Sequence, residues 1–82
     1  MTAEINIPSE KYHGVKDYIR STVGLPWAWT GGRNVLRESY MEGISLVSER
    51  DSFGSEIKDK VVIGENCPKE LRSKLIELAT KL

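Results

Sequence analysis

The most constraining feature of this sequence is a stripe of leucines near its carboxyl end. The leucines recur every three or four positions: Leu71, Leu75, Leu78 and Leu82. This spacing places side chains on one face of an α-helix. Cys67 is expected at the N-cap and Pro68 at the first helical position, so the helix is predicted over residues 68–82. An amphipathic helix must bury its apolar face against another element, which the rest of the chain has to supply.

Three short segments predict that this other element is a β-sheet. Residues 4–7 alternate apolar and polar side chains up to Pro8, which favours a strand. Residues 44–49 and 57–64 predict two further strands, the second of which contains a run of β-branched residues at 61–63. A polar turn at 50–56 is expected to join these two strands into a hairpin.

The segment between the first strand and the hairpin is harder to assign. A helix is predicted over residues 10–23, with Ser9 as its N-cap and Gly24 ending it, followed by a loop over residues 25–34. Leu25 is expected to fold back onto Ile19. Residues 35–42 contain good helix formers, although the alternation of their apolar and polar side chains also allows a strand, and we favour the helix slightly.

These elements predict a single α+β domain spanning residues 1–82. Its small, mainly antiparallel sheet has three or four strands and is packed by two or three helices. The predicted core comprises Ile5, Val15, Ile19, Leu25, Leu46, Val61, Ile63, Leu71, Leu75 and Leu78.

Length and charge narrow the functional classes. A chain of 82 residues buries only about 60–65% of the surface that its unfolded form exposes, which leaves little core to spare for a substrate pocket. Twelve basic residues balance twelve acidic ones, whereas a dedicated nucleic-acid-binding protein usually carries a basic surplus. The small size favours a binding module over an enzyme, and the balanced charge disfavours a dedicated nucleic-acid-binding protein.

The sequence also predicts a cellular location. Its single cysteine, Cys67, excludes an internal disulfide bond, and a secreted domain of this size often needs one. The amino-terminal residues lack the apolar region of a signal peptide, and no apolar run is long enough to span a membrane. We therefore expect a cytoplasmic protein, and its length and Met1 suggest a complete small open reading frame.

The most distinctive candidate site is the W-A-W sequence at residues 27–29. An extended backbone would point Trp27 and Trp29 to the same side, Pro26 would stiffen the entry, and Arg33 follows closely. Tryptophan and arginine dominate binding hot spots, so Trp27, Trp29 and Arg33 are the predicted partner-binding residues. The alternative is that the indoles close a small core, since tryptophan usually packs.

Two other features suggest chemistry less strongly. The sequence T-G-G-R-N at residues 30–34 could surround an anion with backbone N–H groups and Arg33, but it lacks the Lys-Ser/Thr pair of a P-loop, and a flexible turn is the expectation. Cys67 at a helix amino terminus could have a lowered pKa, yet catalysis would also need a base, and His13 is the only histidine. We predict no catalytic residue, no bound metal and no cofactor.

Two partial resemblances accompany these patterns. The sequence L-P-W-A-W-T-G-G-R-N-V-L at residues 25–36 resembles, with an insertion, the L-P-aromatic-aromatic-G-x-N-L turn of barstar-like ribonuclease inhibitors. The acidic residues that such inhibitors present to their enzyme are absent, and Arg33 stands there instead. The order helix, strands, helix is similar to that of double-stranded-RNA-binding domains, but Lys69, Arg72 and Lys74 do not reproduce their lysine cluster. Neither similarity implies a function.

We predict a non-enzymatic protein-binding module that docks on a larger partner. It would act as an inhibitor, adaptor or assembly factor, for example as an accessory protein of a phage or mobile element. The alternative is a nucleic-acid-binding domain whose basic patch gathers Lys58, Lys60, Lys69, Arg72, Lys74, Arg20 and Arg33. The protein is expected to be a monomer or a homodimer formed through its C-terminal helix, without membrane contact.

Overall fold

The computed structural model describes residues 2–50 and 57–80. Five strands form one antiparallel sheet: β1 (Ala3–Ile7), β2 (Ala28–Gly31), β3 (Val35–Ser39), β4 (Ile44–Arg50) and β5 (Ile57–Ile63). The two α-helices are α1 (Tyr12–Val23) and α2 (Lys69–Thr80). Short 3₁₀ turns at Ser9–Lys11 and Met41–Gly43 precede α1 and β4. The α+β class is therefore confirmed, with a larger sheet than the sequence predicted.

The strands lie in the order β1-β5-β4-β3-β2, so the last strand of the chain is inserted beside the first. β4 and β5 form the predicted hairpin, in which Leu46 lies opposite Val61. Val61 also lies opposite Ile5 of β1. Both helices pack on one face of this part of the sheet, and α2 contacts β1 as well as α1. The opposite face of the sheet carries no described element.

The core lies between the two helices and strands β1, β5 and β4. Val15 and Ile19 of α1 and Leu75 of α2 are completely buried there, together with Val61 and Ile63. Leu46 and Leu71 are also buried, while Ile5 and Leu78 pack partly buried against the cluster. Leu25 is the exception in the predicted core, because 71% of its surface is exposed. The expected contact of Leu25 with Ile19 is therefore wrong.

The sheet exceeds three or four strands because two segments were assigned incorrectly. Residues predicted as a loop contain β2, and residues for which a helix was favoured contain β3. β3 pairs on one side with β4, placing Arg37 opposite Val47, and on the other side with β2. Helix propensities differ among these residue types by only about 0.7 kcal/mol or less. Pairing with two neighbouring strands outweighs that preference.

The helix boundaries differ slightly from the prediction. Ser9 begins a 3₁₀ turn, and the N-cap of α1 is Lys11 rather than Ser9. Gly24 ends α1 with a φ of 102°, a conformation that favours glycine, as predicted. α2 begins at Lys69, one residue later than expected. Arg50, the first residue of the turn predicted at 50–56, belongs to β4. The rest of that turn, and residues 81–82 of the predicted C-terminal helix, lie outside the described residues.

Candidate protein-docking site

Exposed apolar side chains concentrate on the half of the sheet formed by β3 and β2. Among the described residues, most of the large apolar side chains that remain exposed fall on these strands or directly beside them: Leu25, Trp27, Trp29, Val35, Leu36 and Met41. Trp29 lies opposite Glu38, and Gly31 lies opposite Leu36. Since Glu38 contacts α1, Trp29 and Leu36 occupy the face of the sheet that carries the helices, at the margin that the helices leave uncovered, whereas Val35 lies on the other face.

The two tryptophans form a feature that we call the indole ridge. Trp27 exposes 67% of its surface and Trp29 exposes 61%, so neither indole closes the core. Both ring nitrogens are nevertheless bound: Trp27 Nε1 donates to the carbonyl oxygen of Tyr40 at 3.1 Å. Trp29 Nε1 donates to Oε2 of Glu38 at 3.3 Å. The polar edge of each indole is thus tied to the sheet while much of its apolar ring surface faces outward.

Glu38 is the buried polar group on which this arrangement depends. It exposes only 4% of its surface. Its Oε2 accepts hydrogen bonds from Arg20 Nη2 at 2.8 Å, from the Tyr40 hydroxyl at 3.3 Å and from Trp29. Lys16 Nζ lies 3.8 Å from Oε1. A buried carboxylate is stable when it is paired and hydrogen-bonded, and Glu38 joins α1 to β2 and β3 in this way.

The environment of Glu38 shifts the pKa values of two neighbouring side chains, Tyr40 and Arg20. Burial raises the pKa of Tyr40, although its hydrogen bond from Arg20 opposes that shift. Hydrogen bonds to Tyr40 and Glu38 raise the pKa of Arg20, which therefore remains a cation. The indole of Trp29 is consequently hydrogen-bonded to a carboxylate, that of Glu38, whose negative charge is balanced by the guanidinium of Arg20.

Glu38 was missed by the sequence analysis, although a signal was present. In a strand, Leu36, Glu38 and Tyr40 share one face, and a charged residue between two apolar ones on that face indicates a buried, paired carboxylate. The preference for a helix over residues 35–42 concealed this alternation.

β2 is an edge strand, and it is unusually apolar for one. Among the described elements it pairs with β3 alone. Residues 25–32 contain no charged side chain, whereas proteins usually protect exposed edges with charges, proline or bulges. Pro26 is buried just before the strand. The indole ridge therefore adjoins backbone groups that another chain can reach.

Arg33 is not part of the indole ridge. It occupies the turn between β2 and β3, which Gly32 N and Val35 O close with a hydrogen bond of 2.8 Å. There it lines a separate cleft with Tyr12 and His13 of α1, and neither tryptophan lines that cleft. The structure thus brings Trp27 and Trp29 to one margin and places Arg33 at the end of the hairpin. Thr30 and Gly31 belong to β2, so the T-G-G-R-N sequence is only partly a turn.

The other candidate residues lie apart. Cys67 is buried at the start of α2, and this burial raises the pKa of its thiol, opposite to the lowering considered for a helix amino terminus. His13 stacks edge-on against Tyr12, with the ring centroids 5.8 Å apart. Within residues 2–50 and 57–80, no three His, Cys, Asp or Glu side chains cluster as a metal site would require.

The basic residues proposed for nucleic-acid binding are distributed over several surfaces. Lys60 lies on the face of the sheet opposite the helices, where its Nζ is 3.1 Å from Glu4 Oε1 and 3.2 Å from Glu49 Oε1. Arg20 is engaged by Glu38. The three basic residues of the C-terminal segment belong to α2, on the other side of the sheet: Lys69, Arg72 and Lys74.

The leucine stripe of α2 packs within its own chain. Leu71, Leu75 and Ala79 are buried in the core, and Leu78 is partly buried against it. The buried members of the stripe are engaged in the core, and the homodimer through the C-terminal helix stays a prediction. Leu82 lies outside the described residues.

No family model, curated protein or solved structure matches this chain. No helix among the described residues is long and apolar enough to cross a bilayer.

Proposed function

We propose that this protein is a non-enzymatic binding module that docks on a larger protein through the indole ridge. The observation that carries the proposal is the state of the two indoles, each exposed by more than half while its ring nitrogen is hydrogen-bonded to the sheet. Exposed tryptophans of this kind are suited to insert into a partner's pocket. Inhibitor, adaptor and assembly factor are the roles that such docking serves.

Preorganisation is the physical reason to expect a useful affinity. Ordering a mobile side chain at an interface costs about 0.5–1.5 kcal/mol. The bonds to Tyr40 and Glu38 restrict the indole orientations before any partner arrives. A partner would then gain the contact area of two large aromatic rings, and tryptophan is among the residue types most enriched in hot spots.

A protein partner suits this surface better than a polyanion does. The ridge and its neighbouring residues 25–32 carry no charge, and the carboxylate beneath Trp29 is balanced by Arg20 and Lys16. Nucleic-acid binding draws much of its affinity from cationic contacts with phosphate. The edge of β2 offers backbone donors and acceptors in addition, which an extended segment of a partner can pair with.

Affinity capture from the native host tests the proposal. Wild type and Trp29→Ala are used as baits in parallel, with Ile76→Ala as the matched control. Ile76 is an exposed apolar residue of α2, away from the ridge. Glu38 keeps its bonds to Arg20 and Tyr40 in Trp29→Ala, so we expect that variant to remain folded. Circular dichroism checks this before capture.

We expect one partner to be recovered with wild type and Ile76→Ala and to be lost with Trp29→Ala. A hot-spot contribution corresponds to an affinity loss of about 2 kcal/mol or more, which titration with the purified partner measures. Equal recovery with all three baits would refute the ridge as the docking site. Both indoles should also be accessible to a soluble fluorescence quencher in the free protein and become protected in the complex.

Binding to nucleic acid is the competing outcome. Titration with duplex and single-stranded nucleic acid at low salt separates the two functions. Binding that weakens steeply as salt is added, and that persists in Trp29→Ala, would support the basic-patch alternative instead.

A further inference from the structure

A cleft at the opposite end of the β2–β3 hairpin is independent of the indole ridge. It has a volume of about 510 Å³ and lies where the start of α1 faces the hairpin turn and the adjacent ends of β4 and β5. Small-molecule sites typically occupy about 300–1,000 Å³. The cleft therefore has room for a ligand of modest size.

Two arginines on neighbouring chain segments line this cleft. Arg33 lies in the hairpin turn and Arg50 lies at the end of β4. Arg50 N donates to the carbonyl oxygen of Asn34 at 2.8 Å, which holds the turn beside the end of β4. Neither guanidinium forms an ion pair with a described residue, in contrast to Arg20. Two guanidinium groups thus line one opening, and neither is paired with a carboxylate in the part of the chain that the structure describes.

The rest of the lining is partly apolar and partly hydrogen-bonding. Leu36 and Ile57 expose 46% and 49% of their surfaces and provide apolar wall. Asp59 accepts a hydrogen bond of 2.7 Å from the Ser48 hydroxyl. Burial raises the pKa of Tyr12, although its interaction with Ser48 opposes that shift, so the phenol stays neutral. Among the described lining residues, two guanidinium groups stand against one carboxylate, that of Asp59.

We propose that this cleft binds a phosphate monoester carried on an apolar, aromatic body. Guanidinium groups match the geometry of phosphate oxygens and form paired, charge-assisted hydrogen bonds with them. A phosphate monoester carries a charge of about −1.5 to −2 at neutral pH, which suits the two arginines of the cleft. The apolar wall of Leu36 and Ile57 receives the aromatic body. The same chemistry occurs in free aryl phosphates and in phosphorylated tyrosine side chains.

Titration of the full chain with phenyl phosphate, followed by NMR of the backbone amides and by calorimetry, tests this site. Phenol, which lacks the charge, and inorganic phosphate, which lacks the aromatic body, are the matched probes. We expect saturable shifts at cleft residues with phenyl phosphate and weaker binding of both matched probes. Arg33→Gln and Arg50→Gln should each weaken phenyl phosphate binding by about tenfold, the effect of a lost charged hydrogen bond. Arg72→Gln, on the exposed side of α2, should leave it unchanged.

A short peptide bearing phosphotyrosine distinguishes the two sources of the ligand. If it binds as well as phenyl phosphate does, the site accepts a modified side chain. If phenyl phosphate alone binds, the site is a small-molecule site, and either result supports the proposal. The absence of saturable binding by both probes, or equal binding by wild type and both arginine variants, would overturn it. Trp29→Ala should bind the probes normally, so this test is independent of the indole ridge.

Discussion

The two halves of the sheet differ in how deeply their apolar side chains are buried. In β5 and β4 the apolar side chains beneath the helices are almost completely buried, and Leu46, Val61 and Ile63 expose 1% or less. In β3 and β2 the side chains on the same face include Leu36 and Trp29, which expose 46% and 61%. The strand pattern is similar in both halves. The difference is that helices cover β5 and β4 but leave the margin formed by β3 and β2 uncovered.

Simple dimensions explain this difference. A helix with its side chains is about 10–12 Å wide, and neighbouring strands lie about 4.8 Å apart. Two helices side by side therefore cover about four strands, so a five-stranded sheet leaves one margin bare. Glu38 lies at the boundary between the halves, linked to α1 on one side and to Trp29 on the other. The covered half provides stability, and the uncovered margin is free for recognition.

Leu75→Ala should produce the largest loss of stability, because it removes a completely buried side chain from the covered half. We expect the free energy of unfolding to fall by about 2–5 kcal/mol, measured by chemical denaturation. Ile76→Ala is the control, since Ile76 is the next residue of α2 and is exposed. Similar losses in the two variants would show that the core is not where the structure places it.

Glu38→Gln should have a smaller effect, because an amide can keep some of the hydrogen bonds but not the ion pair with Arg20. We expect a loss of about 1–3 kcal/mol in the free energy of unfolding. Trp29 should also become more mobile, which fluorescence anisotropy detects. Glu4→Gln removes a carboxylate from an exposed ion pair with Lys60 and should change little. Equal effects of the two substitutions would contradict the role assigned to Glu38.

Alkaline pH should weaken the protein gradually. The pKa of Tyr12 and of Tyr40 is raised by burial above the ordinary value of 10.0, so the folded state holds these protons more tightly than the unfolded chain. Their contribution is complete below pH 10.0 and is lost as pH rises through the raised values. Cys67 acts in the same direction from its ordinary value of 9.0.

Melting temperatures between pH 8 and about 11 measure this dependence. In Tyr40→Phe we expect a lower stability at neutral pH, because the hydroxyl also bonds Glu38, but a shallower decline above pH 10. The slope is therefore the decisive quantity. A decline as steep as that of wild type would show that Tyr40 does not contribute.

Local patterns in the sequence determined a large part of this fold. The periodicity of α1 and α2, the alternation of Ile44 and Leu46 in β4 and the β-branched run of β5 depend on neighbouring residues along the chain, so they could be recognised without a structure. The same applies to the choice of Trp27 and Trp29 as candidate contacts, which rested on residue type and on their spacing.

Four other features depend on contacts between distant parts of the chain, because strand pairing is not local. β3 becomes a strand through hydrogen bonds to β4 and β2, although its residues favour a helix. The exposure of the indoles follows from the width of the helices, which no local pattern encodes. Glu38 becomes a buried carboxylate once α1 brings Arg20 to it across the sheet. Arg33 lies apart from the indoles because it belongs to the turn at the far end of β2.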